Sequence, residues 1–185
     1  MQGDALAIPG STTNGTTSLT NNGTIAFTDG GNGCYSGVIA GTGGISMLGS
    51  GVLTLSAVNT YAGATLINSG GTIALTDAGL LANSSLVTNN GTFDILLKTS
   101  NTNLAGNYVQ SGTDTLKMGV TTSDNVKLLI AGSATLGGTL YVNAALGHYA
   151  AGHYTLINAQ SGRTGTFSNF TNGFRRIGIQ VSFGI

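Results

Sequence analysis

A repeat period of about 20 residues constrains this chain more than any other feature. Gly51, Gly71 and Gly91 recur at one constant spacing, and so do Leu53, Ile73 and Phe93, and Leu55, Leu75 and Ile95. Each glycine opens a short alternating run: Val52-Leu53-Thr54-Leu55, Thr72-Ile73-Ala74-Leu75 and Thr92-Phe93-Asp94-Ile95. Alternation with period 2 sends successive side chains to opposite faces of a strand. A third run, Ala64-Thr65-Leu66-Ile67, repeats as well and puts Ile67 in the phase of Val87. Short strands returning at a fixed period with glycine-rich corners specify a β-solenoid, one coil repeated. Equivalent strands then stack at roughly 4.8 Å, and side chains of one phase form ladders inside the tube. The expected repeat core is Leu53, Leu55, Ile67, Ile73, Leu75, Val87, Phe93 and Ile95, with Val52, Thr54, Thr72 and Ala74 facing water. A buried aliphatic side chain contributes roughly 1.5–3 kcal/mol, so a few per coil offset the ordering entropy.

Composition narrows the class further. Charged residues make up 6% of the chain, against roughly 25% in ordinary globular proteins. Lys+Arg and Asp+Glu number 6 each, so no basic surface is available to release counterions from a nucleic acid. The 31 glycines come with one proline and no three-residue period, which excludes collagen, and 41% hydrophobic residues exclude disorder. Abundant Thr, Asn, Ser and Gly with β-branched alternation indicate an all-β chain. No apolar run reaches the roughly 20 residues of a membrane helix. Met1-Gln2-Gly3-Asp4 lacks the basic-then-apolar order of a secretion signal, so none is expected at this start. Cys34 is the single cysteine and has no intramolecular disulfide partner.

Along the chain, residues 1–20 are polar, with Pro9-Gly10 and Asn14-Gly15 as turn signals, and are expected to form a frayed or opening coil. Repeats follow over 21–105. Leu96-Leu97-Lys98 and Thr99-Ser100-Asn101 break the repeat phase, and residues 106–185 are expected to form a C-terminal β cap.

Residues with chemical potential do not assemble into a catalytic pattern. His148 and His153 have no carboxylate beside them in sequence, and structural zinc requires four ligands. No Gly-x-Ser-x-Gly elbow stands between a strand and a helix. Glycosidases need paired carboxylates, yet Asp77 and Asp94 fall at different points of the repeat. Arginine occurs only at Arg163, Arg175 and Arg176. Asp29-Gly30-Gly31-Asn32-Gly33 has the wrong order for a calcium nonapeptide and has no second copy. The chain is therefore expected to have no catalytic residues, no cofactor and no metal. Tyr35, Tyr61, Tyr108, Tyr141, Tyr149 and Tyr154 are expected to cover the solenoid's shoulder with wet hydroxyls, or, if several face outward, to form a glycan-binding stripe.

Gly49-Ser50-Gly51-Val52-Leu53-Thr54-Leu55-Ser56, Asn59-Thr60-Tyr61-Ala62-Gly63 (a polar turn) and Thr65-Leu66-Ile67-Asn68-Ser69-Gly70 resemble, nearly position for position, the passenger-associated repeat of autotransporters, the type V secretion proteins of Gram-negative bacteria. The lead-in Tyr35-Ser36-Gly37-Val38-Ile39-Ala40-Gly41-Thr42-Gly43-Gly44-Ile45 belongs to the same pattern. The series from Gly106 through Phe167 resembles the autochaperone or junction region that precedes the family's membrane barrel. The resemblance covers about residues 21–185. It implies a right-handed parallel β-helix with three short strands per coil of about 20 residues, serving as a structural stalk at the cell surface or in secreted form. It also implies that the C-terminal segment folds first during outer-membrane translocation and templates later coils. Leu128, Ile130, Leu136, Leu140, Val142, Tyr154, Leu156, Ile157 and Phe167 are the expected folding nucleus, with Gly137-Gly138 as its tight corner. The implied partners are a C-terminal membrane β-barrel and an N-terminal passenger of the same parent chain, both absent from this sequence, which reads as an excised piece or processed product. An adhesin binding host glycan or matrix, and a self-associating surface fibre, are the alternatives. They are motivated by a low-charge, Asn/Thr/Tyr-rich flank and by solenoid edges that favour stacking.

Overall fold

The alternating runs form strands, and the glycine-marked segments between them form corners. The computed structural model describes residues 6–8, 16–28, 30–121, 126–145 and 154–172. After β1 (Leu6–Ile8), strands come in triads, one triad per turn of the chain. The first are β2 (Leu19–Thr20), β3 (Thr24–Phe27) and β4 (Gly33–Tyr35), then β5 (Ile39–Ala40), β6 (Gly44–Met47) and β7 (Val52–Leu55). Next are β8 (Val58–Asn59), β9 (Thr65–Ile67) and β10 (Thr72–Leu75), followed by β11 (Leu80–Leu81), β12 (Leu86–Asn89) and β13 (Thr92–Ile95). The later triads are β14 (Thr102–Leu104), β15 (Asn107–Gln110) and β16 (Thr115–Val120), and β17 (Leu128–Ile130), β18 (Ala134–Leu136) and β19 (Thr139–Ala144). The last is β20 (Ile157–Ala159), β21 (Arg163–Gly165) and β22 (Asn169–Asn172).

Every strand pairs in parallel with its equivalent one turn away, so the chain is an all-β solenoid with three faces, and no helix occurs among the described residues. Middle strands of the triads, together with β1, form an eight-stranded face, and last strands form a seven-stranded face. First strands form a narrower face of short ladders, β2-β5, β8-β11 and β14-β17-β20. Both wide sheets run on across residue 105 and continue to β21 and β22.

Register places the ladders. On the seven-stranded face Leu53 pairs with Ile73, Ile73 with Phe93, Phe93 with Leu116 and Leu116 with Leu140. All five are buried, as are Leu55, Leu75, Ile95, Met118 and Val142 in the second inward row. Val52, Thr54, Thr72 and Ala74 are half-buried on the outer side, as alternation requires.

The eight-stranded face departs from the sequence reading at one place. Ile67 and Val87 are both buried, but they do not share a phase: Thr65 pairs with Val87 and Ile67 with Asn89. The register step from Thr65 to Val87 is therefore longer than the step from Ile73 to Phe93 on the seven-stranded face. Two opposite changes explain this. The corner after β10, spanning 76–79, is longer than its predecessor 56–57, while the corner before β13, spanning 90–91, is shorter than 68–71 by the same amount. The slip is confined to two faces and cancels on the third.

From β7 onward the corner leading from the seven-stranded face to the short-strand face keeps growing: 56–57, 76–79, 96–101, 121–127 and 145–156. Inward rows tolerate this because side chains stack by strand register, and a longer connection adds only slowly rising closure entropy. The glycine-rich corners on the other side reflect tight approach. A Cβ at Gly51 would lie 1.9 Å from the Gly31 carbonyl oxygen, a distance that no side chain tolerates.

Candidate functional site

The expected folding nucleus comes from all three faces. Leu128 and Ile130 point inward from β17, Leu136 from β18, and Leu140 and Val142 from β19, and all are buried in the same core as Leu156 and Ile157 of the next turn. Phe167 packs half-buried against that core and Tyr154 is half-buried. Gly137-Gly138 form the whole corner between β18 and β19. Gly138 has φ 63°, and a Cβ there would meet the Asp114 carbonyl oxygen at 2.4 Å, so both conformation and space demand glycine.

The interior is not uniformly apolar. Each kind of corner holds polar side chains that the sequence reading assigned to solvent or did not single out. The first set lies between the short-strand and eight-stranded faces. Asn59 and Tyr61, read from sequence as part of a polar turn, are fully buried. Asn59 accepts the Ile39 backbone N–H at 2.9 Å and donates to the carbonyls of Ala57 (3.0 Å) and Leu80 (3.2 Å), tying successive turns together. The Tyr61 hydroxyl lies 2.6 Å from Thr65 Oγ1, which lies 2.9 Å from Ser84 Oγ. Ser84 Oγ lies 3.1 Å from the carbonyls of Gly63 and Leu86. A carbonyl only accepts, so Ser84 donates to it, Thr65 donates to Ser84 and Tyr61 donates to Thr65. Burial raises the Tyr61 pKa far above its ordinary value, which keeps that donor protonated.

A second set sits between the two wide faces. Asn89 and Gln110 occupy adjacent positions of one inward row and are buried with Tyr108. Tyr108 OH donates to Gln110 Oε1 at 2.6 Å, and Asn89 Nδ2 donates to that same oxygen at 3.1 Å and to the Tyr108 hydroxyl at 3.2 Å. Asn89 also reaches the Thr115 carbonyl at 3.0 Å and accepts the Gly91 N–H at 3.2 Å. Gln110 Nε2 lies within 2.9–3.1 Å of the carbonyls of Asp114, Gly137 and Thr139. Asn89, Tyr108 and Gln110 thus fasten the corners 90–91, 111–114 and 137–138 of successive turns. Burial again raises the Tyr108 pKa.

The third set is at the growing corner. Lys98, only 4% exposed, turns inward and donates to the backbone carbonyls of Asp77 and Gly79 one turn earlier. The Asp77 carboxylate in turn accepts the Thr99 N–H at 2.9 Å and hydroxyl at 2.7 Å. Those two bonds hold the Asp77 carboxyl below its ordinary range, while burial pulls the Lys98 ammonium below its own, an effect opposed by the nearby Asp77 charge. Next to this clip Leu97 is 67% exposed.

Two expectations about aromatics are corrected. Tyr61 and Tyr108 are core residues with satisfied hydroxyls, and Tyr35 is buried with its hydroxyl donating to the Thr17 carbonyl at 2.6 Å. All three are buried, so they neither cover a wet shoulder nor form an outer stripe. Tyr141 faces outward from β19, in one row with Asp94 and Lys117, which form an ion pair at 3.6 Å.

Among the described residues no group of three or more His, Cys, Asp or Glu gathers into a possible metal site. His148, His153, Tyr149, Asp29, Arg175 and Arg176 lie outside the described residues. The chemistry on view is therefore fastening: buried amides, hydroxyls and one ammonium binding backbone groups of neighbouring turns.

Comparison with known proteins agrees with that geometry. No curated protein and no solved structure matches the chain. The sequence model of the passenger-associated-transport-repeat matches residues 46–75, from within β6 to the end of β10. That match lies within the regular turns and ends before the Asn89–Gln110 fastening and the lengthened corners. The chain thus carries an autotransporter passenger repeat, built into a parallel β-solenoid.

Proposed function

We propose that this chain is a structural stalk of an autotransporter passenger, exposed at the cell surface or secreted, and that residues 106–185 act as its folding nucleus during outer-membrane translocation. The passenger repeat inside an unbroken parallel stack is the observation that carries this reading. A stacked turn offers the next one a complete strand edge on each wide face and inward rows to extend, as Leu116 and Leu140 extend the row of Phe93. Each added turn gains backbone hydrogen bonds and apolar burial without an energy source. Growth from the C-terminal end would make secretion directional. The expected partner is a membrane β-barrel of the same parent chain, and the role is structural rather than catalytic.

The test compares two positions of one inward row in the full chain. Leu140→Ala is expected to slow refolding from urea, whereas Ile73→Ala is expected to speed unfolding with little change in refolding, since only residues ordered in the transition state affect the folding limb. Equal effects on both limbs, or slow refolding for Ile73→Ala alone, would place the nucleus elsewhere.

A further inference from the structure

We infer that the short-strand face carries a binding subsite for one neutral sugar ring, lined by Asn103, Leu129, Ala131, Asn158 and Gln160. The register places Asn103, Leu129 and Asn158 in one outward row, on β14, β17 and β20, so two amides flank a leucine at strand spacing. The next outward positions are Ala131 and Gln160. The small alanine lets the surface drop between its neighbours and opens a groove of about 200 Å³. This groove lies at the C-terminal ends of β17 and β20, whereas the long corners 121–127 and 145–156 enter at their N-terminal ends.

The lining selects a ligand class. Among the described residues no charged side chain borders the groove, so a phosphate or carboxylate would find no counter-charge from them there. The side chains of Asn103, Asn158 and Gln160 form no hydrogen bond with any described residue, leaving all three amides available. Each amide offers a donor and an acceptor, the pair that neighbouring sugar hydroxyls require. Half-buried Leu129 supplies an apolar patch for the C–H face of a ring. The volume is below the roughly 300–1,000 Å³ of sites that enclose drug-sized ligands, which suits a single ring with the rest of a glycan in solvent and millimolar affinity. This subsite does not depend on the stalk reading, and its loss leaves that reading intact.

The test is a titration of the full chain with the methyl glycosides of glucose, galactose, mannose and N-acetylglucosamine, followed by amide proton–nitrogen correlation spectra. At least one is expected to give saturable shifts centred on residues 103, 129–131 and 158–160. Ala131→Trp fills the groove from an exposed position and is expected to abolish those shifts while the urea midpoint stays at the parent value. The double variant Asn103→Ala, Asn158→Ala removes no buried group and is expected to weaken binding at least about tenfold; it decides the matter should the tryptophan disturb the fold. Absence of saturable shifts with all four glycosides, or shifts retained in both variants, would overturn the assignment.

Discussion

The regular turns and the lengthened turns solve one problem with different means. From β4 to β10 the seven-stranded face repeats with one constant step, and the inward row at the corner between the wide faces is apolar, Phe27, Met47 and Ile67. One turn later that row becomes Asn89 and then Gln110, just where the step on the eight-stranded face first lengthens. Farther on, the step on the seven-stranded face lengthens too, between the inward partners Phe93 and Leu116 and again between Leu116 and Leu140. Apolar packing is non-directional and tolerates a shifted neighbour, whereas an amide bonded to named carbonyls of adjacent turns does not. The difference teaches that a strict repeat keeps register by periodicity, and an irregular one adds directional fasteners.

The comparison can be broken or sharpened experimentally. The largest effects belong to the inward row shared by both regions. Leu140→Ala and Ile73→Ala should each lower stability by about 2–5 kcal/mol in urea unfolding, and their kinetics separate the regions as described above. A Leu140→Ala midpoint equal to the parent's would show that Leu140 is not core.

Next come the fasteners. Asn89→Leu and Gln110→Leu should each cost about 1–3 kcal/mol, because each strands buried partners that lose a hydrogen bond. Their combination should be far from additive, since both hold one Tyr108 hydroxyl. Additive losses in the double-mutant cycle would mean the network acts as separate bonds. Met47→Leu at the equivalent apolar corner should cost less than about 1.5 kcal/mol.

The Lys98 clip should matter locally. Lys98→Ala leaves the Asp77 and Gly79 carbonyls without their donor and should cost about 1–3 kcal/mol, with faster hydrogen exchange at Thr99. Asp77 has a depressed folded pKa, so its stabilising effect is complete above the ordinary value of 3.8 and is lost as pH falls through the folded value. Lys98 has the opposite sign of contribution. Its depressed pKa disfavours the charged folded form, and that cost fades only as pH rises toward 10.5. Acid should therefore loosen this corner through Asp77, an effect that Asp77→Asn should remove from the stability-versus-pH curve below the ordinary value of 3.8.

The smallest effect is expected at the Asp94–Lys117 pair. Both groups are partly open to water, so Lys117→Ala should change stability by about 0–1 kcal/mol, and added salt should erase the difference.

Much of this was legible from spacing alone. The constant recurrence of Leu53, Ile73 and Phe93 announced parallel stacking, because a solenoid is a nearly one-dimensional object in which equal sequence spacing becomes spatial adjacency. Leu128, Ile130, Leu140 and Val142, expected in the folding nucleus from the resemblance, lie in inward rows of the same stack. Ile67 does not share Val87's phase. A period read on one face carries to another only if no corner changes length between them, and corners 76–79 and 90–91 change in opposite directions.

The sequence by itself determined that this chain is an all-β solenoid, since periodicity and glycine spacing are local properties written in chain order, and the passenger repeat was legible as a resemblance of residues in fixed order. Only the tertiary structure decided which polar residues are inside. Asn59, Tyr61, Asn89, Tyr108, Gln110 and Lys98 look like surface residues in any short window; Asn59, Asn89, Tyr108, Gln110 and Lys98 each bond a group about one turn or more away, and Tyr61 joins Ser84 of the next turn through Thr65. A buried amide or ammonium is stable only when carbonyls and N–H groups from other turns surround it, and that enclosure exists only once the turns have stacked.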